Sequence, residues 1–338
     1  MTPLLEVKDL KKHFSSRKGL FGEVGTVKAV DGISFSVVPK ESFAVGGESG
    51  CGKTTLGKLI LALERPTGGQ VIFQGKDLHT ISAGSLRALR KDIQVIFQDP
   101  FSSLNPRMTV EDILSEPFEI HGLLPNSADR HKKLLRLLSV VGLAKSHLKR
   151  HPHEFSGGQR QRVGIARALA LDPKLIVADE PVSALDVSIQ AQILNLLKDL
   201  QKELSLTYLF ISHDFSVVRH LCNRIAVMYL GRMMELSESE ILFKDPQHPY
   251  TEALLSAVPV PDPAIEKRRQ RVLLTGDVPS PLDPPSGCRF HPRCRYALPA
   301  CGSDVPPLAE LKDRPGHFAA CPVAPFGRQR SKCALVEL

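Results

Sequence analysis

The sequence predicts an α/β fold built around a phosphate-binding loop. Residues Gly47–Thr54 read GESGCGKT and match the pattern G-x-x-x-x-G-K-[ST]. An apolar run at 43–45 precedes this P-loop as a buried strand, and residues 55–63 follow it as a helix. Two more apolar runs, at 175–178 and 208–211, end in polar side chains. Buried parallel strands with polar residues at their carboxyl ends are typical of ligand-binding α/β sheets.

Length and composition indicate one large globular domain with an appendage. The chain has 338 residues, of which 42% are hydrophobic and 24% charged. Its net charge of +8 fits a solvated surface, an anionic membrane or nucleic acid. No apolar run approaches the about 18 residues of a spanning helix, and the N-terminus lacks the apolar segment of a secretory signal. Seven cysteines without such a signal predict a reducing, cytoplasmic location.

The P-loop residues have separate expected roles. Glycines allow the backbone to turn back on itself, Lys53 reaches the β- and γ-phosphates, and Thr54 offers a hydroxyl to Mg²⁺. Phe14 is either an adenine-stacking residue or a core aromatic at a strand end. The candidate ATP-binding residues are Phe14, Gly47, Glu48, Ser49, Gly50, Cys51, Gly52, Lys53, Thr54, Thr55 and Gln98.

Polar residues at strand ends supply the candidate catalytic groups. Gln98 can reach a metal or the γ-phosphate. Asp179 is placed to orient Mg²⁺, and Glu180 to accept a hydrogen bond from the attacking water as general base. His213 can hydrogen-bond the γ-phosphate. The alternative for Gln98 is an ordinary amide at a strand end. For Asp179 and Glu180 it is two carboxylates that cap the next element, and for His213 it is a structural role.

A helical insert and a capped helix lie between these strands. Residues 110–143 are mostly helical in pattern. The segment Ser156-Gly157-Gly158-Gln159 precedes a helix predicted over 160–171, with Ser156 as its N-cap. The helix N-terminus can meet an anion, or the segment is simply a capped helix after a loop.

The motifs occur in the order Gly47–Thr54, Gln98, Ser156–Gln159, Asp179–Glu180, Asp186 and His213. This order resembles the ATPase subunit of an ABC transporter. The segments at 181–192, 248–251, 276–281 and 287–290 narrow the resemblance to the dipeptide/oligopeptide/nickel importer branch, closest to its F-type second ATPase. In one departure, Gly46 stands where the family usually has a bulky residue, which predicts looser packing before the loop.

The resemblance implies a P-loop (RecA-like) ABC ATPase core with an N-terminal antiparallel β subdomain. A helical subdomain at about 101–165 is inserted in this core, which spans 1–257. The C-terminal extension, 258–338, is predicted to be a small, poorly regular Cys/Pro-rich appendage.

The resemblance also implies a mechanism. Two ATPase subunits pair head to tail, so that Ser156–Gln159 meets the ATP of the partner and Asp186 bridges the two sites. Glu180 and His213 are the catalytic residues, and Mg²⁺ is held through Thr54, Gln98 and Asp179. Because all these residues are present, the subunit is expected to be catalytically competent.

The implied activity is ATP hydrolysis that powers import of di- or oligopeptides, or alternatively of nickel or another solute. The implied partners are a D-type ATPase, two membrane permeases and an external solute-binding protein, with no nucleic acid. The subunit is then peripheral, on the cytoplasmic face of the inner (plasma) membrane. Gln98 would lie on a loop that contacts the permeases.

Four cysteines in the appendage, Cys288, Cys294, Cys301 and Cys321, are candidate ligands of iron–sulfur or zinc. Their C-x5-C-x6-C-x19-C spacing differs from the C-x2-C pairs of zinc sites and from common ferredoxin spacings. The residues alone leave a cluster, zinc and free thiols open. Members of the resembled branch hold a [4Fe–4S] cluster, so the resemblance favours that group.

Two other classes of function are open to the residues. One is an ABC ATPase that acts on nucleic acid or ribosomes, but the chain has no second phosphate loop or sustained heptad pattern. The other is a small-molecule kinase, which would not need Ser156–Gln159 or His213.

Overall fold

The computed structural model describes residues 2–17, 24–99, 103–259 and 271–323. Residues 101–102 of the predicted helical subdomain, and 260–270 and 324–338 of the predicted extension, lie outside the described residues. The strands are β1 (Leu5–Arg17), β2 (Val24–Val37), β3 (Ser42–Gly46), β4 (Gly68–Phe73), β5 (Lys76–Asp77), β6 (Ile93–Ile96), β7 (Leu175–Asp179), β8 (Thr207–Ser212), β9 (Arg224–Tyr229), β10 (Arg232–Glu238), β11 (Ala309–Leu311) and β12 (Arg314–Ala319).

The α-helices of the described residues are α1 (Lys53–Ile60), α2 (Ala83–Leu89), α3 (Val110–Ile120), α4 (Ser127–Val140), α5 (Gly157–Leu169), α6 (Val187–Leu204), α7 (Phe215–Leu221), α8 (Ser239–Lys244) and α9 (Pro249–Ser256). Short 3₁₀ turns occur at Lys145–Lys149, Pro152–Glu154, His291–Arg293 and Pro299–Gly302. The chain divides into two compact units.

The first unit comprises Met1–Leu4, Val37–Ser42 and Gln74–Ile211. Its strands β6, β7 and β8 are parallel, with Ile96 opposite Ala178 and Ala178 opposite Phe210. The apolar residues of β7 are fully buried, which accounts for the continuous apolar run in the sequence. Helices α3, α4 and α5 pack on one another and form the predicted helical insert.

Helix α5 begins three residues earlier than the pattern predicts. Ser156 caps it: its hydroxyl accepts the N–H of Gln159, and the Gln159 side chain accepts the N–H of Ser156. This capping box satisfies two backbone donors, so the two glycines form the first turn of the helix. The prediction of Ser156 as N-cap is therefore confirmed.

The second unit comprises Leu5–Ser36, Phe43–Phe73 and Ser212–Leu338. Strands β2, β1 and β4 lie side by side, and β1 pairs antiparallel with β4. Strand β3 is parallel to β9, and β10 returns antiparallel to β9. Strand β3 leads directly into the P-loop, whose last two residues, Lys53 and Thr54, already belong to α1.

One expectation for this unit was wrong. Gly46 does not loosen the packing before the loop, because a Cβ there would lie 2.6 Å from the Phe215 ring, which occupies that space. Residues 271–323 of the extension are mostly irregular, but they contain a short hairpin of β11 and β12, and β12 pairs antiparallel with β10. These strands are too short to stand out in the sequence, and pairing with the edge of β10 gives them their conformation.

Candidate functional site

The P-loop backbone depends on glycines at close approaches. Gly52 has a φ of 106°, and a Cβ there would lie 2.0 Å from the Ala29 carbonyl oxygen. Gly47 has a φ of 153°, and its Cβ would lie 2.2 Å from the Met228 carbonyl oxygen. Only glycine fits these positions without displacing backbone. Helix α1 starts directly after Gly52, two residues earlier than predicted.

Lys53 lies inside the turn of the loop and is only 5% exposed. Its ammonium group donates to the carbonyl oxygens of Gly47, at 2.7 Å, and Glu48, at 2.9 Å. The Cys51 thiol lies 3.7 Å from the same nitrogen. Burial raises the pKa of Cys51, which keeps this thiol neutral beside the lysine. The loop therefore holds one concentrated positive charge, suited to a phosphate.

Two residues of the C-terminal region contact the loop at Glu48, and sequence reasoning missed both roles. The Tyr250 hydroxyl accepts the Glu48 N–H at 3.0 Å, and Arg293 forms an ion pair with the Glu48 carboxylate at 3.0 Å. Tyr250 lies in a segment, 248–251, that the sequence links to the importer branch. The resemblance identified the segment as typical of the branch, but it did not predict that Tyr250 contacts the P-loop.

The carboxyl ends of β6 and β7 carry the predicted catalytic set of the first unit. The Gln98 amide donates to the Glu180 carboxylate over 2.8 Å. Asp179 is the last residue of β7 and is half-buried, beside Glu180. Gln98 and Asp179 offer the oxygen atoms that Mg²⁺ prefers, and the geometry presents Glu180 for proton transfer.

Glu180 has an unusual backbone conformation. Its φ is +47°, in the left-handed region that costs a non-glycine residue about 1 kcal/mol or more. The Glu180 N–H donates to the Ile211 carbonyl at 2.8 Å, and the Ser183 hydroxyl donates to the Glu180 carbonyl at 3.1 Å. These bonds hold the conformation that directs the carboxylate toward Gln98.

The Ser-Gly-Gly-Gln segment also has a close approach. A Cβ on Gly158 would lie 2.5 Å from the Ile189 side chain of α6, so glycine permits α5 to approach α6. Asp186 is the exposed N-cap residue of α6, and its side chain makes no capping hydrogen bond. Val187, which follows it, is 81% exposed.

His213 and Phe14 belong to the second unit. His213 is exposed directly after β8, and Asp214 next to it caps α7. Phe14 is 38% exposed, and the Lys12 ammonium lies 4.8 Å from the centroid of its ring. The half-exposed ring of Phe14 is available for stacking. Both predicted roles, stacking on adenine and packing at a strand end, stay predictions.

Each unit thus brings together part of the predicted site. The first unit holds Gln98, Asp179, Glu180, Ser156–Gln159 and Asp186. The second holds Phe14, the P-loop with Thr55, His213 and the four C-terminal cysteines.

The cysteine region packs three of the four predicted thiols near one another. Cys288 and Cys301 are buried, and the Cys288 N–H donates to the Cys301 carbonyl at 2.8 Å. Burial raises the pKa of Cys288, and it raises that of Cys294 to about 11. Within the described ranges, no group of three or more His, Cys, Asp or Glu side chains is arranged to hold a metal ion. The iron–sulfur prediction is therefore unsupported by this geometry.

Comparison with known proteins identifies the family. Family profiles described as "ABC transporter" and "Oligopeptide/dipeptide transporter, C-terminal region" match residues 30–183 and 234–301. The putative oligopeptide transport ATP-binding protein YkfD of Bacillus subtilis is 55% identical over 94% of this chain and 95% of its own length. The chain belongs to this family of ABC-transporter ATP-binding proteins.

Two other relatives are also named transport ATP-binding proteins. The oligopeptide transport ATP-binding protein AppF of Bacillus subtilis is 54% identical over 94% of this chain and 96% of its own. The dipeptide transport ATP-binding protein DppF of Escherichia coli is 51% identical over 94% of each. The resemblance to this branch and the assignment as an ABC-type ATPase, for which ATP and Mg²⁺ are the fitting ligands, are confirmed.

Solved structures confirm the predicted fold class. A dimeric post-hydrolysis structure of the ATP-binding cassette MJ0796, bound to ADP and Pi, aligns with a TM-score of 0.62 and 28% identity. It covers 70% of this chain and 98% of its own. The cbiO1 subunit of Clostridium perfringens aligns equally well over 72% of this chain and 91% of its own. Among the described residues of this ABC-type ATPase, no helix has the length and apolarity needed to span a bilayer.

Proposed function

We propose that this ABC-type ATPase hydrolyses ATP to power import of di- or oligopeptides across the cytoplasmic membrane. The observation that carries the proposal is the match of residues 234–301 to the oligopeptide/dipeptide transporter C-terminal family. The relatives at 51–55% identity are named for oligopeptide or dipeptide transport, and this supports a peptide cargo.

Nucleotide binding is assigned to the loop of the second unit. The buried Lys53 ammonium contacts the β- and γ-phosphates, and the Thr54 hydroxyl serves the metal. Phe14 stacks on the adenine. The remaining residues, Gly47 to Cys51 with Gly52 and Thr55, shape the cradle and line it with backbone N–H groups other than that of Glu48, which donates to Tyr250.

Hydrolysis is assigned to the strand-end groups. Glu180 accepts a proton from the attacking water, and the Gln98 amide, hydrogen-bonded to its carboxylate, keeps the base oriented. Asp179 and Gln98 of the first unit and Thr54 of the second carry the oxygen atoms that would hold Mg²⁺, and the ion would offset the charge of the phosphates. His213 hydrogen-bonds the γ-phosphate.

Complete sites require a second subunit. We assign Ser156–Gln159 to the ATP of a partner ATPase, because the exposed N-terminus of α5 supplies backbone donors to an anion. Asp186, exposed at the start of α6, couples the two sites. The partner is a D-type relative in a heterodimer.

The transporter assembly sets the location and the remaining partners. Two membrane permeases form the pathway, an external binding protein delivers the solute, and this subunit is peripheral on the cytoplasmic face. Gln98 links the ATP site to the permeases. We place the nucleotide-binding domain at 1–257, with its helical subdomain at about 101–165, and the extension at 258–338.

On the family resemblance, and not on the arrangement of the thiols, we propose a [4Fe–4S] cluster held by Cys288, Cys294, Cys301 and Cys321. The Leu298 N–H lies 3.5 Å from the Cys301 sulfur, and backbone N–H donors of this kind suit cluster-bound thiolates. Anaerobic purification tests the assignment: iron and acid-labile sulfide are expected, and a colourless, iron-free protein would overturn it.

Uptake in cells tests the cargo. A strain lacking this subunit is compared with the same strain carrying the wild-type or the E180Q chain, and uptake of a labelled dipeptide, a labelled pentapeptide and ⁶³Ni²⁺ is measured. Peptide uptake restored by the wild type alone supports the proposal. Restored uptake of nickel without uptake of peptides would show that nickel is the cargo. In a second experiment, a tagged subunit is purified from detergent-solubilised membranes. Recovery of ribosomes or DNA in place of permeases would contradict the proposed role in transport.

A further inference from the structure

The P-loop of this protein carries a negative charge that the C-terminal region neutralises. Glu48 is the second residue of the loop, and its carboxylate faces the guanidinium of Arg293. Nη1 of Arg293 lies 3.0 Å from one carboxylate oxygen, and Nη2 lies 3.5 Å from the other. The arginine side chain is 8% exposed and the glutamate 26%, so water screens the pair only in part.

Neighbouring aromatic residues hold Arg293 in this position. Nη1 also donates to the Tyr229 hydroxyl at 3.4 Å, and the guanidinium lies 6.0 Å from the centre of the Tyr229 ring. The rings of Tyr229 and Tyr250 are 4.6 Å apart, and Phe290 meets Tyr229 edge to face at 5.5 Å. All three rings are almost fully buried. A guanidinium packed this way loses little freedom on pairing with a carboxylate.

The same aromatic cluster holds the loop backbone. The Tyr250 hydroxyl accepts the N–H of Glu48 at 3.0 Å, so main chain and side chain of one residue are anchored by two residues of the C-terminal region. Helix α9 carries Tyr250, and the 3₁₀ turn His291–Arg293 carries the arginine. The contacts are 202 and 245 residues away from Glu48 in the chain.

The contacts of Arg293 and Tyr250 affect the charge that the P-loop presents to a nucleotide. A nucleotide triphosphate brings several negative charges to the loop, and an unpaired glutamate there would repel them. Pairing with Arg293 cancels that repulsion, leaving the charge of Lys53 to dominate the loop. Resting on the proposed ATP-binding role of the loop, we propose that Arg293 is a positioning residue that neutralises Glu48 and, with Tyr250, sets the loop for ATP.

Nucleotide affinity tests the proposal on the full chain. Titration calorimetry with MgADP and with MgATP is run on the wild type, R293A, R293K, E48Q and R293A/E48Q. R293A is expected to bind about tenfold more weakly, because it leaves the glutamate unpaired. R293A/E48Q, which also removes the negative charge, is expected to recover most of the affinity that R293A loses. R293K keeps the positive charge without the planar guanidinium that reaches both carboxylate oxygens, and it is expected to bind more tightly than R293A but more weakly than the wild type.

Salt and a neighbouring arginine supply the controls. The R293A defect is expected to shrink between about 0.05 and 0.5 M NaCl, because salt screens the repulsion. R295A removes an arginine that pairs with Glu252 and not with the loop, and it is expected to bind as the wild type does. A defect of R293A that E48Q fails to rescue would show a packing role instead. R293A binding equal to wild-type binding overturns the inference alone, whereas a wild-type chain that binds no nucleotide overturns the ATP site as well.

Discussion

The amide of Gln98 donates a 2.8 Å hydrogen bond to the carboxylate of Glu180. The register of the parallel pair explains the contact, because Ile96 of β6 lies opposite Ala178 of β7, and Gln98 and Glu180 each follow two residues later. The left-handed backbone of Glu180 then turns its side chain toward Gln98. Because this amide contacts the proposed base, a change in the position of Gln98 would also change the position of the Glu180 carboxylate.

Replacement of Glu180 by glutamine removes the proposed base and keeps the shape. We expect E180Q to bind MgATP with unchanged affinity and to hydrolyse it on the order of 10²-fold more slowly. Phosphate release and nucleotide titration measure the two quantities. E203Q, at an exposed position near the end of α6, is the matched control and should hydrolyse at the wild-type rate. Unchanged hydrolysis in E180Q would exclude this residue as the base.

A methyl group on Gly52 should abolish the P-loop conformation. Its Cβ would lie 2.0 Å from a backbone oxygen, and the φ of 106° is strained for any other residue. We expect G52A to lose at least about 2 kcal/mol of stability and to bind MgATP more weakly. G84A, in the first turn of α2 with open space around its Cβ, should leave MgATP binding unchanged and raise stability by at most about 1 kcal/mol. Thermal unfolding and nucleotide titration decide between these outcomes.

A buried hydrogen bond between two side chains joins the C-terminal hairpin to β10. Nε2 of His317 lies 2.6 Å from the Glu235 carboxylate, and the two side chains are 1% and 0% exposed. H317L removes this hydrogen bond, whereas the carboxylate still accepts the N–H groups of Gln247 and His248, so we expect the local stability of β11 and β12 to fall by about 2 kcal/mol. Hydrogen exchange of the amides at 309–319 measures that stability.

The control for the hairpin lies on the same strand. Arg314 pairs with Asp245 at a partly exposed position, and R314A should cost less than about 1 kcal/mol. Equal exchange rates in H317L and R314A would contradict the buried-pair argument.

His248 should make stability depend on pH. Burial lowers its pKa from the ordinary 6.5 to about 3, so the unfolded chain binds a proton in this range that the native chain does not. Stability should therefore fall as the pH decreases from 6.5 toward 3, with a slope of about one proton. Nδ1 of His248 accepts the Tyr250 N–H and caps α9, a role that asparagine also fills.

The matched variant is H248N, which keeps a capping acceptor and has no titrating ring. Urea unfolding of both proteins between pH 4 and 8 is expected to show a steeper loss of stability for the wild type at low pH. The difference between the two curves removes the contribution of every other group. Parallel curves would show that His248 has the same pKa in the native and unfolded chains, and the argument from burial would then be wrong.

Much of the site could be predicted because its chemistry is local in sequence. The P-loop, the strand-ending Asp179 and Glu180, and the cap at Ser156 each depend on a few consecutive residues with a known conformational preference. Continuous apolar runs likewise predicted β7 and β8. The first residues of two helices were predicted less well. Helix α1 begins directly after Gly52 and α5 directly after Ser156, two and three residues earlier than predicted.

The sequence by itself determined the phosphate loop, the order of the motifs and the family. Only the tertiary structure decided that Arg293 neutralises Glu48, that His317 is buried against Glu235, and that residues 309–319 form a hairpin on β10. The physical reason is that charged residues are common and each has many candidate partners along the chain. Which pair loses water and becomes strong depends on which distant segments fold against each other.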